Sequence, residues 1–361
     1  MASEFGDKVK FSIFGQSHGE AIGVVIDGLP AGEAIDLNEL DKFLDRRRTG
    51  KNALSTQRRE ADKPIFLSGV TQRDNNLITC ASPLCAVIKN SDQHSQDYAE
   101  LLDKPRPGHA DYTAYVKWQG NADMRGGGHF SGRLTAPICI AGGIAKQILA
   151  RKNIFVGAHL AECAGVRDKN FNSVNLNNDL FNAVADKSFP VIDDEAGVKM
   201  QAEILKARED GDSVGGIIEC AVINLEAGLG EPMFDGIESR LARVLFGIPA
   251  VKGVEFGAGF NAARLKGSEN NDAFKISNNK VMTLSNNSGG ILGGITNGMP
   301  VIFRAAIKPT PSISKPQHTI SLSKLEDTEL IIKGRHDPCI AHRAVPVIEA
   351  AAACVILDLI I

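Results

Sequence analysis

Tryptophan is almost missing from this chain. Trp118 is the only one among 361 residues, and aromatic side chains make up 6%. That is too sparse for a platform on which nucleic-acid bases stack. Charge of one sign is missing as well: 40 Lys and Arg stand against 43 Asp and Glu, a net charge of −3, with a pI near 6.3. No global basic field therefore draws the protein onto polynucleotides or an acidic membrane. Long hydrophobic runs are also absent. The most apolar stretch, Ala344 to Ile361, carries Glu349 and Asp358 and reads as a buried terminal helix rather than a membrane span. Met1 to Lys8 lacks the apolar stretch of a secretion signal.

Seven cysteines (Cys80, Cys85, Cys139, Cys163, Cys220, Cys339 and Cys354) are odd in number and have neither framework nor Cys-x-x-Cys spacing. Several lie in apolar runs such as Pro137-Ile138-Cys139-Ile140, the setting of reduced, buried thiols. A reducing, cytoplasmic location is the expectation. The length permits one large domain or two smaller ones, and no linker-like or low-complexity segment divides it.

What is present is an intermixture of helix and strand signals. Residues 23–27, 215–222 and 299–307 are strand-like runs rich in β-branched residues. Periodicity and length predict helices over Leu37 to Arg47, Leu134 to Ala150, Val198 to Glu209 and Val345 to Leu359. Asn172 to Asp179 and Lys266 to Asn279 are polar and read as surface loops. The mixture argues for α+β layers around a shared core. Glycine-rich passages near Gly126 and Gly289 hint at a duplicated architecture.

Four short blocks join arginine or serine to histidine through glycine or proline: Gly15-Gln16-Ser17-His18-Gly19, Arg106-Pro107-Gly108-His109, Arg125 to Arg133, and Gly334-Arg335-His336-Asp337-Pro338-Cys339. Arginine offers a planar fork of donors for phosphate and carboxylate. Histidine adds a proton that moves near neutral pH. Glycine lets backbone N–H groups approach an anion. Together the blocks read as one site for multiply anionic small molecules.

Each block also has a plainer reading. Arg46-Arg47-Arg48 can complement a helix dipole as a solvated face, or, with Arg58-Arg59, close over anionic ligands. Gly15 to Gly19 has the spacing of a serine nucleophile elbow, but an apolar strand-like run follows where a helix is required. Arg106 to Tyr112 is a turn leading into a helix, with Asp111 near its cap position. Arg125 to Arg133 is the most specific piece: three successive glycines before a helix aim N–H groups at an anion, without Walker spacing. Ser288 to Gly294 is a second backbone-exposing loop, or close packing. Lys308-Pro309-Thr310-Pro311-Ser312 supplies a cation and two hydroxyls. His336, Cys339 and His342 are spaced by three, yet Pro338 breaks a helix and no fourth ligand is near, which argues against a metal.

In order along the chain, GQSHG at 15–19, DRRRTG at 45–50, QRREAD at 57–62, RPGHADYT at 106–113, RGGGHFSGR at 125–133, SGGILGG at 288–294, KPTPSI at 308–313, GRHDPC at 334–339 and RAVPVIEA at 343–350 closely resemble the chorismate synthase family. The resemblance implies a single domain over 1–361, a βαβ sandwich with pseudo-twofold internal symmetry, assembled as a homotetramer. It implies conversion of 5-enolpyruvylshikimate 3-phosphate to chorismate by anti-1,4 elimination of phosphate, a carbon–oxygen lyase step of the shikimate pathway to aromatic amino acids. It also implies a need for reduced FMN (FMNH2) without net redox change, with NADPH as a reductant. An arginine-rich nucleic-acid-binding protein is the rival reading.

By matching motifs, the resemblance implies FMN contacts at His129, Phe130, Ser131, Pro249, Ala250, Gly293, Lys308, Pro309, Thr310, Pro311, Ser312 and Arg335. Arg47 matches a position assigned to NADPH. Substrate contacts are implied at Ser17, His18, Arg48, Arg106, His109, Arg133 and Arg343. His18, His109 and Asp337 are the implied catalytic groups. His18 and the arginines would stabilise the departing phosphate, His109 would hold a proton at the reduced flavin, and Asp337 would keep flavin N5 deprotonated to receive the C6 proton. Three departures from the family pattern stand out: Gln16 for a common Glu, Lys51 to Leu54 without a frequent arginine, and His342 where proline is common.

Overall fold

The computed structural model describes residues 3–50, 54, 61–73, 76–90, 100–277, 279–332 and 336–361. Ten strands, the longer ones rich in apolar and β-branched residues, build two all-antiparallel five-stranded sheets. The first has strands β1 (Glu4–Phe5), β2 (Lys10–Gly15), β3 (Ala21–Asp27), β5 (Ile65–Ser68) and β8 (Leu84–Lys89), in the order β1-β2-β3-β8-β5. Beside it, β4 (Ala34–Ile35), β6 (Val70–Arg73) and β7 (Asn76–Thr79) form a small sheet. The second sheet runs β10 (Val166–Arg167), β9 (Phe155–Cys163), β11 (Gly216–Ile223), β17 (Val301–Ile307), β12 (Val251–Phe256). Hairpins are made by β13 (Phe274–Ser277) with β14 (Lys280–Thr283), β15 (Ile291–Leu292) with β16 (Ile295–Thr296), and β18 (Gln317–Ser321) with β19 (Glu326–Leu330).

The helices are α1 (Leu37–Asp45), α2 (Asp111–Trp118), α3 (Thr135–Arg151), α4 (Asn178–Ala185), α5 (Asp194–Glu209), α6 (Ile237–Leu245), α7 (Gly267–Asn270) and α8 (Ala341–Ile360). Both α3 and α8 are apolar nearly all round and buried along most of their length, so they form the middle layer, α3 against the first sheet and α8 against the second. Gly142 lets the two touch: a Cβ there would lie 2.2 Å from the Ala350 Cα. One continuous core runs from Phe11 and Ile22 through Ile144 and Ala350 to Phe303. The two halves repeat one plan, a sheet backed by a long helix, as the paired glycine passages hinted.

Buried charges tie these layers together. Glu349 of α8 accepts from Arg46 Nη2 at 2.6 Å, from Lys146 Nζ at 2.5 Å and from the Ala158 backbone N–H, joining α1, α3, α8 and β9. Across the second sheet, directly opposed residues form a charge ladder: His159 to Glu219 at 3.0 Å, Glu219 to Arg304 at 3.3 Å, Arg304 to Glu255 at 2.6 Å. Asp168 takes the other nitrogen of His159 at 2.9 Å.

All four expected long helices form, with α5 beginning four residues earlier than 198 and α8 four residues earlier than 345. The expectation of a surface loop over 266–279 needs correction: the segment carries a short helix and a strand. Glu269 caps α7 through the Lys266 N–H, and β13 alternates exposed Phe274 and Ile276 with half-buried neighbours. No described helix is long and apolar enough to cross a membrane.

Candidate active site

A cavity of about 1020 Å³ opens between the sheets and the loops that join them. Its wall carries His18, Arg106, His109, Arg133, Asp337 and Arg343, groups separated by up to 325 positions in sequence (343 against 18). His129, Phe130, Ser131, Pro249, Ala250, Lys308, Thr310, Pro311, Ser312 and Arg47 line it as well.

The glycine loop is its floor. Gly126, Gly127 and Gly128 have φ of +63°, +95° and +56°, left-handed values that side-chain-bearing residues rarely adopt. The Ser17 N–H donates to the Gly128 carbonyl at 3.1 Å, bringing the turn after β2 down on this loop. His18 is thereby held over Gly126, and His109, from a separate turn, lies over Gly127. Ser17 Oγ is buried and has no hydrogen-bond partner. The His129 Nδ1–H donates to the Gly15 carbonyl at 2.8 Å, and Nε2 lies 2.9 Å from the Ser3 hydroxyl. Phe130 packs on Trp118 with centroids 5.8 Å apart.

The triple-arginine run divides three ways. Arg46 enters the core at Glu349. Arg47 is buried in the cavity wall, donating to Asp62 at 2.8 Å, Thr135 Oγ1 at 2.9 Å and the Gly132 carbonyl at 3.0 Å. Arg48, just beyond α1, folds back onto that helix to Asp41 at 2.5 Å and Asp45 at 3.3 Å, off the cavity lining. Asp62 also receives Arg133, so one carboxylate joins two guanidiniums. Burial pushes the Asp62 carboxyl up, but the charges of Arg47 and Arg133 outweigh it and hold the group below its ordinary range.

A second carboxylate does the same on the opposite motif. Asp111 Oδ2 accepts from Arg106 Nε at 2.7 Å, and Oδ1 lies 2.6 Å from His109 Nδ1. Burial raises the Asp111 carboxyl, yet hydrogen bonds from Arg106 and His109 win and hold it well below the usual carboxylate range. The expectation that Asp111 caps α2 is corrected here: Ala110 is the cap residue, and it makes no side-chain cap bond. Arg106 Nη1 reaches Ser312 Oγ at 3.4 Å, and Lys308 Nζ donates to the Gly108 carbonyl at 2.6 Å. Burial and the nearby Lys252 lower the Lys308 ammonium pKa. Thr310 Oγ1 is buried without a partner. Arg343 points Nη2 to Asp337 at 3.5 Å and leaves Nε and Nη1 buried and unpaired.

Other expected residues stand elsewhere. Gly293 is at the exposed tip of the β15–β16 hairpin, and neither it nor Pro309 lines the cavity. In the Ser288 to Gly294 loop close packing prevails: a Cβ on Gly289 would meet the Gly257 nitrogen at 2.5 Å. Arg58, Arg59 and Arg335 lie outside the described residues. His342 stacks on Phe189, Cys339 faces Cys163 at 3.7 Å, and the described residues contain no group of three or more metal-ligating side chains. Sequence reading gave no role to Asp62, Arg243 or Phe246, all of which line the cavity. Asp62 was visible as the acid that ends the QRREAD block at 57–62.

A cationic cavity floored by glycine, walled by arginine–carboxylate clasps and lined by three histidines is that of an enzyme acting on multiply anionic small molecules. A family model described as chorismate synthase matches residues 9–361. A chorismate synthase of Dehalococcoides mccartyi is 46% identical over 359 residues, covering 99% of this chain and 96% of its own. One of Thermococcus gammatolerans is 46% identical over 358 residues, covering 98% and 96%. A crystal structure of chorismate synthase aligns with a TM-score of 0.75 at 26% identity, over 98% of this chain and 92% of that one. The chain belongs to the chorismate synthase family. Its function is the family's, formation of chorismate, a lyase step of the shikimate pathway; the nucleic-acid rival gains no support.

Proposed function

We propose that the cavity takes 5-enolpyruvylshikimate 3-phosphate together with reduced FMN and releases phosphate by anti-1,4 elimination, as a carbon–oxygen lyase acting on phosphates. One observation carries this reading: Ser17 Oγ, Thr310 Oγ1 and two Arg343 nitrogens are buried without partners around a cationic space. Orphaned buried donors of this kind cost free energy unless a ligand completes them. The substrate's phosphate and two carboxylates match Arg106, Arg133 and Arg343, with Ser17 and His18 beside them. The residues also suit the cofactor. Lys308, Thr310 and Ser312 would hold its phosphate, while the glycine floor, His129 to Ser131, Pro249 to Ala250, Pro311 and the apolar Leu134, Ile138 and Ile340 would take its ring.

Reduced FMN, when bound, lends electron density to the substrate's allylic system, with no net redox change. The chain's own groups do the rest. The arginines and His18 stabilise charge gathering on the departing phosphate, an electrostatic contribution of about several kcal/mol in a dry site. His109 handles a proton through Nε2, and Asp337 is the proton-handling carboxylate beside Arg343. Arg47, already clasped to Asp62, acts as wall, and reduction by NADPH is a separate part of this reading.

We further take residues 1–361 as one domain of a cytoplasmic homotetramer. Exposed Met233, Phe234, Phe260 and Ile276 favour assembly, which light scattering would measure. The decisive assay is anaerobic: dithionite-reduced FMN plus enolpyruvylshikimate phosphate, watching chorismate absorbance appear. Absence of product with well-folded protein would overturn the proposal, and NADPH in place of dithionite tests the reductant.

A further inference from the structure

We propose that Asp111 is a positioning residue for the reaction: its carboxylate fixes the His109 ring so that Nδ1 is committed to Asp111 and Nε2 faces the cavity. The inference rests on the reading that His109 handles a proton there.

The geometry allows one arrangement. An ionised carboxylate only accepts hydrogen bonds, so the 2.6 Å contact between His109 Nδ1 and Asp111 Oδ1 makes Nδ1 the donor. Arg106 Nη2 lies 3.0 Å from the same Nδ1, but a protonated Nδ1 cannot accept from it, and Nη2 donates to Asp111 Oδ1 at 2.7 Å instead. Arg106 Nε and its backbone N–H fill Oδ2 at 2.7 and 3.0 Å. Asp111 is thus saturated, and both it and Arg106 are buried. The other ring edge meets the glycine loop, where a Cβ on Gly127 would lie 3.3 Å from Nε2. Nε2 is therefore the nitrogen presented to ligand.

The charged and titratable groups around this ring are few. Asp111 and Arg106 come from its own turn, Lys308 reaches in from the segment after β17, and His336 lies beyond Arg106. The Gly127 and Ser131 side is uncharged. Only Asp111 among them accepts a hydrogen bond from Nδ1. Helix capping gives no competing explanation, since the Asp111 side chain makes no cap bond to α2.

The test is Asp111→Asn, which keeps the shape but can offer Nδ1 an amide N–H, driving the ring toward the Nε2–H form. In full-length protein loaded with reduced FMN, kcat should fall about a hundredfold or more. FMN affinity should stay close to wild type, while the thermal midpoint falls because buried Arg106 loses its counter-ion. Nitrogen-15 NMR of histidine-labelled protein, with the His109 signal assigned by its loss in His109→Asn, should show Nδ1 protonated in wild type and unprotonated in the variant. Wild-type kcat in Asp111→Asn alongside an inactive His109→Asn overturns the inference and leaves the His109 reading intact. A fully active His109→Asn sinks that reading itself. Lost activity with an unchanged tautomer would assign Asp111 to Arg106 alone and also overturns the inference. If Asp111→Asn does not fold, an unprotonated Nδ1 in wild type at neutral pH decides against it.

Discussion

Gly126 lies directly beneath His18: a methyl group on Gly126 would stand 2.5 Å from His18 Cδ2 and Nε2, and 2.9 Å from Ser17 Oγ. No heavy atom fits at such a distance, so this glycine sets where the histidine can be. Gly126→Ala should therefore displace the His18 ring. The left-handed φ of +63° adds about 1–2 kcal/mol of strain. We expect turnover to fall at least tenfold with a small drop in thermal midpoint, read by steady-state assay and calorimetry. Unaltered turnover would mean that His18 has no fixed station over the loop.

Asp62 joins Arg47 to Arg133 in the cavity wall. Asp62→Ala would leave two buried guanidiniums without their shared counter-ion, a loss of about 3–5 kcal/mol. Denaturant melts should register that loss, and substrate KM should rise because Arg133 loses its anchor. A variant as stable as wild type would show that other partners suffice.

Stability should depend on pH from both sides. Burial raises the Glu349 carboxyl, but Arg46 and Lys146 outweigh it and lower its pKa from 4.5 to about 2. Its contribution is complete above about pH 4.5 and is lost as pH falls toward 2, about 3 kcal/mol at 1.36 kcal/mol per unit. His159 has the opposite sign. Burial lowers its pKa, but hydrogen bonds to Asp168 and Glu219 prevail and raise it above 6.5. That contribution is complete below pH 6.5 and is lost as pH climbs through the raised value. Urea melts across pH should show a flattened acid limb in Glu349→Gln and a flattened alkaline limb in His159→Asn. Parallel curves for variants and wild type would refute both assignments.

Asp337 sits on the cavity wall with Arg343 3.5 Å away. Asp337→Asn keeps the size and removes the charge. FMN should bind within a few-fold of wild type while turnover falls about a hundredfold. Fluorescence titration and single-turnover kinetics separate the two, and unchanged kinetics would remove Asp337 from proton handling.

Much of this architecture was legible in the order of residues. Periodicity marked α1, α3, α5 and α8 because burial of one helix face, or of all faces in α3 and α8, must be written into composition. The motifs likewise named most of the cavity wall, since anion binding demands arginine, histidine and glycine in close company. What no one-dimensional reading supplied was the pairing. Three consecutive arginines look alike, yet Arg46 enters the core, Arg47 joins the wall and Arg48 folds back onto α1, because their acceptors Glu349, Asp62 and Asp41 come from unrelated elements. Asp111 resembled a helix cap until Arg106 and His109 were seen to claim both its oxygens. Residue type is local chemistry and can be read along the chain. Which carboxylate meets which cation is set only when the two sheets close on α3 and α8, and that choice belongs to the tertiary structure.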